Sequence, residues 1–153
     1  MNRRRRLLGA AALALLVVPG VVDLAVTTPR ETLEALVEDA AAAVEEGDEE
    51  FLLRHLAPDF TGPGGRPRLD GRKAVESALE ALWREFPGRS LEVDSLDVAL
   101  DLPFADVKAC LWALLESRAL RIPARVDLEA RLSFDGELWR VERLDRFRLS
   151  RGL

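Results

Sequence analysis

The stretch Val126–Leu149, VDLEARLSFDGELWRVERLDRFRL, decides the fold. Asp135-Gly136 is a strong hairpin signal, because both central residues of a two-residue turn need positive φ. Before it, Val126, Leu128, Ala130, Leu132 and Phe134 alternate with Asp127, Glu129, Arg131 and Ser133. A period of two makes a strand with one apolar and one wet face. With Asp-Gly as the loop, Leu132 faces Trp139 and Ala130 faces Val141, so both strands bury the same side. The same register sets Arg143 opposite Leu128 and Asp145 opposite Val126. Two charges therefore land on the otherwise apolar face.

Upstream of the hairpin the chain also reads as strand. Ala105–Arg118 is apolar on both faces through its middle: Val107, Ala109, Leu111 and Leu115 on one side, Cys110, Trp112 and Leu114 on the other. Leu91–Leu102 alternates and changes phase at Ser95-Leu96, which predicts a bulge and a bent strand. Pro103-Phe104 turns the chain, and Ile122-Pro123 is expected to interrupt it before the hairpin.

Before Leu91 the period changes to that of helices. Thr28, Pro29 and Glu31 make a capping box, and Leu33, Leu36, Val37, Ala40 and Val44 form one stripe ending at Gly47. Asp48 caps a short helix, Glu49–Leu56. Ala57-Pro58-Asp59-Phe60 stops it. Thr61–Pro67, with three glycines and two prolines, is a loop without the lysine of a phosphate loop. Asp70 is the expected cap of a third helix, running to Phe86, whose stripe includes Val75, Leu79, Leu82 and Trp83. Helices followed by a bent meander of long strands predict an α+β layer arrangement.

Arg3–Arg6 precede an uninterrupted apolar run, Leu7–Val22. That run exceeds a signal-peptide core of about 7–15 residues and falls just short of the ~20 of a spanning helix. A cleaved signal peptide and an uncleaved membrane anchor both stay open. Either way the expectation is an N-terminal hydrophobic helix over residues 1–27, with residues 28–153 as one domain outside the cytoplasm, in a bacterial periplasm or cell envelope.

The net charge is −5, and residues 1–27 hold four Arg against one Asp. The remainder is more acidic still, which argues against nucleic acid as a partner. A single Cys, Cys110, excludes an intrachain disulfide and a cysteine metal cluster. One His among scattered acids gives no metal-ligand spacing, and no cofactor is expected.

The strings LLRHLAPDF, DGRKAV and FDGELWRV are together similar to those of the nuclear-transport-factor-2-like superfamily. That group contains ketosteroid isomerases, scytalone dehydratase, polyketide cyclases and many domains without known activity. The resemblance covers Pro29–Leu149. It implies a cystatin-like cone, with helices packed into a strongly curved antiparallel sheet and a pocket between. It also implies dimers formed through the sheet face. The catalytic sets of the family do not carry over. No carboxylate stands among the residues just after Asp59, and the chain has no Tyr and one His.

The remaining candidates each have a functional and a plain reading. His55 could act as a base near neutral pH or pack on its short helix. Asp59 could be a pocket acid or orient a turn. Arg143 and Asp145 could orient a polar ligand, pair with each other at the rim, or be turned outward by a bulge. Trp83, Trp139 and Phe60 could line a pocket or fill the core. Cys110, Trp112 and Leu114 form an outer apolar patch, suited to a homodimer interface or to cover by another part of the chain. The reading that follows is a non-enzymatic extracytoplasmic domain. It would bind a small apolar or amphipathic ligand or a protein, with membrane contact through its N-terminal segment. The alternative is an isomerase, dehydratase or cyclase using His55, Asp59 or Asp145 as an atypical acid–base group.

Overall fold

The computed structural model describes residues 28–63 and 69–152. The expected N-terminal hydrophobic helix lies outside the described residues. Among those described, no helix is long and apolar enough to cross a membrane. Contacts divide the chain into two units, Met1–Thr32 and Leu33–Leu153. In the first, Thr28 and Glu31 form the expected capping box: the Thr28 N–H donates to the Glu31 carboxylate at 2.7 Å, and the Glu31 N–H donates to Thr28 Oγ1 at 3.2 Å.

The elements in order are α1 (Pro29–Glu46), α2 (Glu49–Arg54), β1 (Leu56–Thr61), α3 (Arg72–Glu85), β2 (Gly88–Asp101), β3 (Phe104–Glu116), β4 (Arg121–Phe134) and β5 (Trp139–Arg151). One five-stranded sheet has the order β1-β5-β4-β3-β2. Strands β2 to β5 form an antiparallel meander, and β1 adds to its edge in parallel with β5. The α+β expectation holds.

Alternation along the strands sets the inner face. Val98, Ala105, Val107, Ala130, Leu132 and Trp139 cluster with Leu33 of α1. Ala109, Leu111, Ala113, Ala124 and Val126 cluster with Ala41. The phase change in β2 is a bulge as expected: Val93 pairs with Leu111, Ser95 pairs with Cys110, and Asp94 is the extra residue.

The hairpin differs from its sequence reading in two ways. The loop has four residues, Asp135–Leu138, so Phe134 pairs with Trp139 and Leu132 with Val141. The Asp135 carboxylate opens it, accepting from the N–H groups of Glu137 at 2.9 Å and Leu138 at 2.8 Å. Asp side chains commonly bond the backbone two residues on in this way. Gly136 supplies the positive φ of 94°. The register moves by an even number of residues, so Leu132, Trp139, Ala130 and Val141 keep the inner face.

The second difference removes the two buried charges. Arg131 pairs with Arg143, Ala130 with Leu144 and Glu129 with Arg146, so Glu142 and Asp145 are extra residues at two bulges. Leu144 takes the inner position that a straight ladder assigned to a charge. Arg143 and Asp145 are exposed. Burying an unpaired charge is costly, and a bulge re-aims a side chain at the loss of little more than local ladder regularity.

Three local expectations also change. Residues 56–61, read as helix end and loop, form β1, an edge strand that tolerates Pro58. Ile122-Pro123 does not interrupt β4. The Pro123 carbonyl accepts from Gly152 just beyond the last β5 pair, so the missing N–H falls on the side where the ladder ends. Asp70 does not cap α3, whose first flanking residue, Gly71, has no side-chain cap. Its Oδ1 instead accepts from the Gly62 N–H at 2.8 Å. A Cβ at Gly62 would lie 2.5 Å from that of Leu69, so this approach requires glycine.

Candidate functional site

The inner face is closely packed where β5 begins. Trp139 is 4% exposed and packs beside the Phe134 ring at 5.4 Å between centroids. Phe60 is equally buried. Trp83 is tied to α1: its indole N–H donates to the Val44 carbonyl at 3.0 Å. Arg89 works beside it. Its guanidinium lies over the Trp83 ring at 5.9 Å and donates to the carbonyls of Val44 at 3.0 Å, Glu45 at 2.8 Å and Phe86 at 2.7 Å. Val44 and Glu45 are last-turn residues of α1, whose carbonyls have no partner within the helix. The cation also opposes the negative end of the helix dipole.

The acid–base candidates do not converge. His55 flanks the end of α2, its Nδ1 2.9 Å from the Phe51 carbonyl and its ring 4.5 Å from the Phe51 ring. Asp59 is exposed on β1. Asp145 accepts from Arg143 Nε at 2.7 Å on the outside of β5. Of the sequence-derived set, only Arg143 and Asp145 meet, in an exposed ion pair.

Open space lies on the outer face of the sheet. A groove of about 580 Å³ crosses all four antiparallel strands there. Cys110, Trp112 and Leu114 point to this side as expected, with Cys110 buried and Trp112 42% exposed. A Cβ on Gly152 would meet the Trp112 ring at 3.2 Å, so the chain's C-terminal end flanks that ring.

Register sorts the outer face into rows. Asp97, Lys108, Glu129 and Arg146 lie side by side on β2 to β5. The next row is Ser95, Cys110, Asp127 and Arg148, and the one after is Glu92, Trp112, Arg125 and Ser150. Below them, Asp106 neighbours Arg131. Three ion pairs lace these rows: Arg146 to Glu129 at 3.1 Å, Arg125 to Asp127 at 3.1 Å and Arg131 to Asp106 at 3.3 Å. The hydrogen bond from Arg125 holds the Asp127 carboxyl below its ordinary range. Burial, and then Asp127 beside it, push the Cys110 thiol up. Cys110 therefore stays protonated near neutral pH, which is the wrong state for a nucleophile.

Two acidic features complete the described surface. A smaller groove between α1 and β2 carries Glu38, Glu45 and Glu92. Glu49, Glu76 and Glu80 each bring one carboxylate oxygen within 4.8 Å of the others. Linear spacing hides that trio, because α2 supplies one member and α3 the other two.

No protein-family model matches this chain, and no curated protein matches it in sequence. Solved structures do match. A provisionally assigned scytalone dehydratase from Novosphingobium aromaticivorans superposes with a TM-score of 0.67 at 17% identity, over 79% of this chain and 83% of that one. A protein of unknown function with a cystatin-like fold from Nostoc punctiforme gives 0.64 at 13% identity, over 80% and 93%. The fold is the cystatin-like cone. A third cone, the hexachlorocyclohexane dehydrochlorinase LinA-type3 from Novosphingobium barchaimii, gives 0.67 at 12% identity, over 80% and 88%. At these identities the likeness is one of fold, and it agrees with the architecture that the sequence resemblance implied.

The sequence reading found the apolar members of the outer face, set Lys108 and the outward charges of the neighbouring strand, Asp127, Glu129 and Arg131, at their rim, and missed Asp97, Arg146 and Arg148. Each of these three reads as an ordinary position on its own strand. The signal that finds them is the pairing of strands, which aligns opposite charges in rows.

Proposed function

We propose that this chain is a non-enzymatic interaction domain on the cone fold, held outside the cytoplasm by its first 27 residues, with the outer face of the sheet as its working surface. One observation carries the reading. His55, Asp59 and Asp145 sit on separate elements with local partners or solvent, and Trp139 and Phe60 are buried in packing rather than open to a ligand. A general base must lie within hydrogen-bond reach of the proton it takes, and a cone reaction also needs room for substrate. A groove lies against the outer rows. The second reading is an acid–base enzyme of the cone. It is favoured by two structurally similar proteins described as a scytalone dehydratase and a dehydrochlorinase.

Complementation of a deletion strain with the whole chain separates the two. The interaction reading predicts that His55→Gln, Asp59→Asn and Asp145→Asn complement as well as wild type, and that Trp112→Glu does not. Loss with any of the first three and retention with Trp112→Glu would establish the enzyme reading instead.

A further inference from the structure

Strand β5 has a neighbour on both sides only near its start. β1 pairs with it at Val141 and Arg143, and beyond Arg143 nothing among the described residues pairs with that side. On the other side β4 follows it as far as Arg151. Residues 146–151 are therefore a free sheet edge, and all of them except Ser150 are exposed.

The ladder fixes which backbone groups lie on that edge. The Gly152 N–H donates to the Pro123 carbonyl, towards β4. Antiparallel partners alternate between bonded and non-bonded pairs. Counting back from Gly152, the pairs Arg151–Ala124, Leu149–Val126 and Phe147–Leu128 are non-bonded. Phe147, Leu149 and Arg151 thus aim their N–H and C=O groups away from β4, along the free edge.

The side chains sort by the same alternation. Phe147 and Leu149 stand opposite Leu128 and Val126, which pack around Ala41, yet they remain 49% and 56% exposed. Arg146 and Arg148 point to the opposite face. Arg148 and Arg151 form no ion pair among the described residues. Asp127, beside Arg148, is held by Arg125, and Asp145 is held by Arg143. In a chain of net charge −5, residues 145–151 carry three Arg against one Asp.

A free edge is a template for an added strand. Backbone groups supply the attraction, and alternate side chains choose the partner. A second β5 laid on this edge would set Arg against Arg. A strand with carboxylates on one face and apolar residues on the other satisfies every exposed group.

We propose that residues 146–151 of β5 bind an extended segment of another protein in which apolar and acidic residues alternate. Its backbone continues the sheet. Its apolar side chains cover Phe147 and Leu149, and its carboxylates meet Arg146 and Arg148. The edge borders the outer groove through those two arginines. The inference goes beyond the outer-face reading, because the backbone edge binds whether or not the groove holds a partner.

Fluorescence anisotropy tests it, with the whole chain in detergent and a labelled synthetic peptide alternating Val and Glu, as long as the free edge. The peptide should bind saturably, and one alternating Val and Lys should not. Arg148→Glu should weaken binding about tenfold or more, since every 1.4 kcal/mol is a factor of ten. Leu149→Pro should abolish it, because the lost N–H faces the free edge and no ladder bond goes with it. Methylating the amide nitrogens of the Val residues alone blocks an antiparallel strand, and of the Glu residues alone a parallel one. One of these two peptides must lose binding and the other keep it.

No saturable binding of the Val-Glu peptide, equal binding of the Val-Lys peptide, or equal effects of the two methylations overturns the proposal. If Leu149→Pro fails to accumulate, the methylated peptides test the same bonds on the wild-type chain. If the peptide does not bind while the chain captures a second copy of itself through Arg148, the edge belongs to that copy and the proposal also falls.

Discussion

Arg143 and Asp145, two residues apart on β5, close an ion pair at 2.7 Å on the outside of the sheet. A regular ladder would have turned both inward. The two bulges that prevent this leave Leu144 facing the core and its charged neighbours in solvent. Exposed ion pairs contribute ~0–1 kcal/mol. Arg143→Leu should therefore change stability by less than about 1 kcal/mol in urea unfolding. A loss of several kcal/mol would show that Arg143 has a buried role.

Trp139 is the opposite case. It lies at the start of β5 in the cluster with Leu33, Val107 and Leu132. Trp139→Ala should cost about 3–5 kcal/mol, the range for a large aromatic truncated in a core. A cost under about 1 kcal/mol would mean that the site collapses easily or that the ring lines an open pocket.

Arg89 tests how α1 is ended. Its guanidinium serves four carbonyls, those of Val44, Glu45, Phe86 and Pro87, and stacks on Trp83. Arg89→Ala leaves last-turn carbonyls of α1 without those donors. The expected cost is about 2–3 kcal/mol, more than an ordinary surface change. Arg89→Lys should recover only part of it, since one ammonium cannot reproduce the fork.

Asp135 makes the fold sensitive to acid. The N–H of Leu138, the Arg140 guanidinium and the N–H of Glu137 hold its carboxyl well below the usual carboxylate range. A depressed folded pKa gives stability that is present above the unfolded value of about 3.9 and lost as pH falls below it. Melting temperature should fall between pH 5 and about pH 2, and Asp135→Asn should flatten that fall. Identical profiles for the two proteins would remove Asp135 from the account.

The fold was legible where period and capping chemistry agree. The alternation of Val126–Phe134, the stripe of α1, the capping box at Thr28 and the phase change near Ser95 each fix one element by local rules. What was not legible depends on pairing. An Asp-Gly pair specifies a turn but not that the Asp135 carboxylate stretches it to four residues. The bulges at Glu142 and Asp145 arise because a strand can shed a charge from the core, and nothing in the local pattern of β5 marks where. Strand β1 was hidden because Pro58 argues against a strand except at an edge, and the edge exists only once β5 is in place. The site follows the same division. Trp112 was visible as an aromatic on the wrong face, whereas the charge rows appear only after four strands are aligned.

The central claim is that this cone works through its outer face and not through a ligand held inside. Native mass spectrometry of the whole chain, purified in detergent from its own cells, tests it most directly. The account predicts no stoichiometric small molecule, and a protein partner, a second copy or another chain, that Trp112→Glu releases. A single chain carrying one small molecule, retained in Trp112→Glu and released by Trp139→Ala, would contradict it.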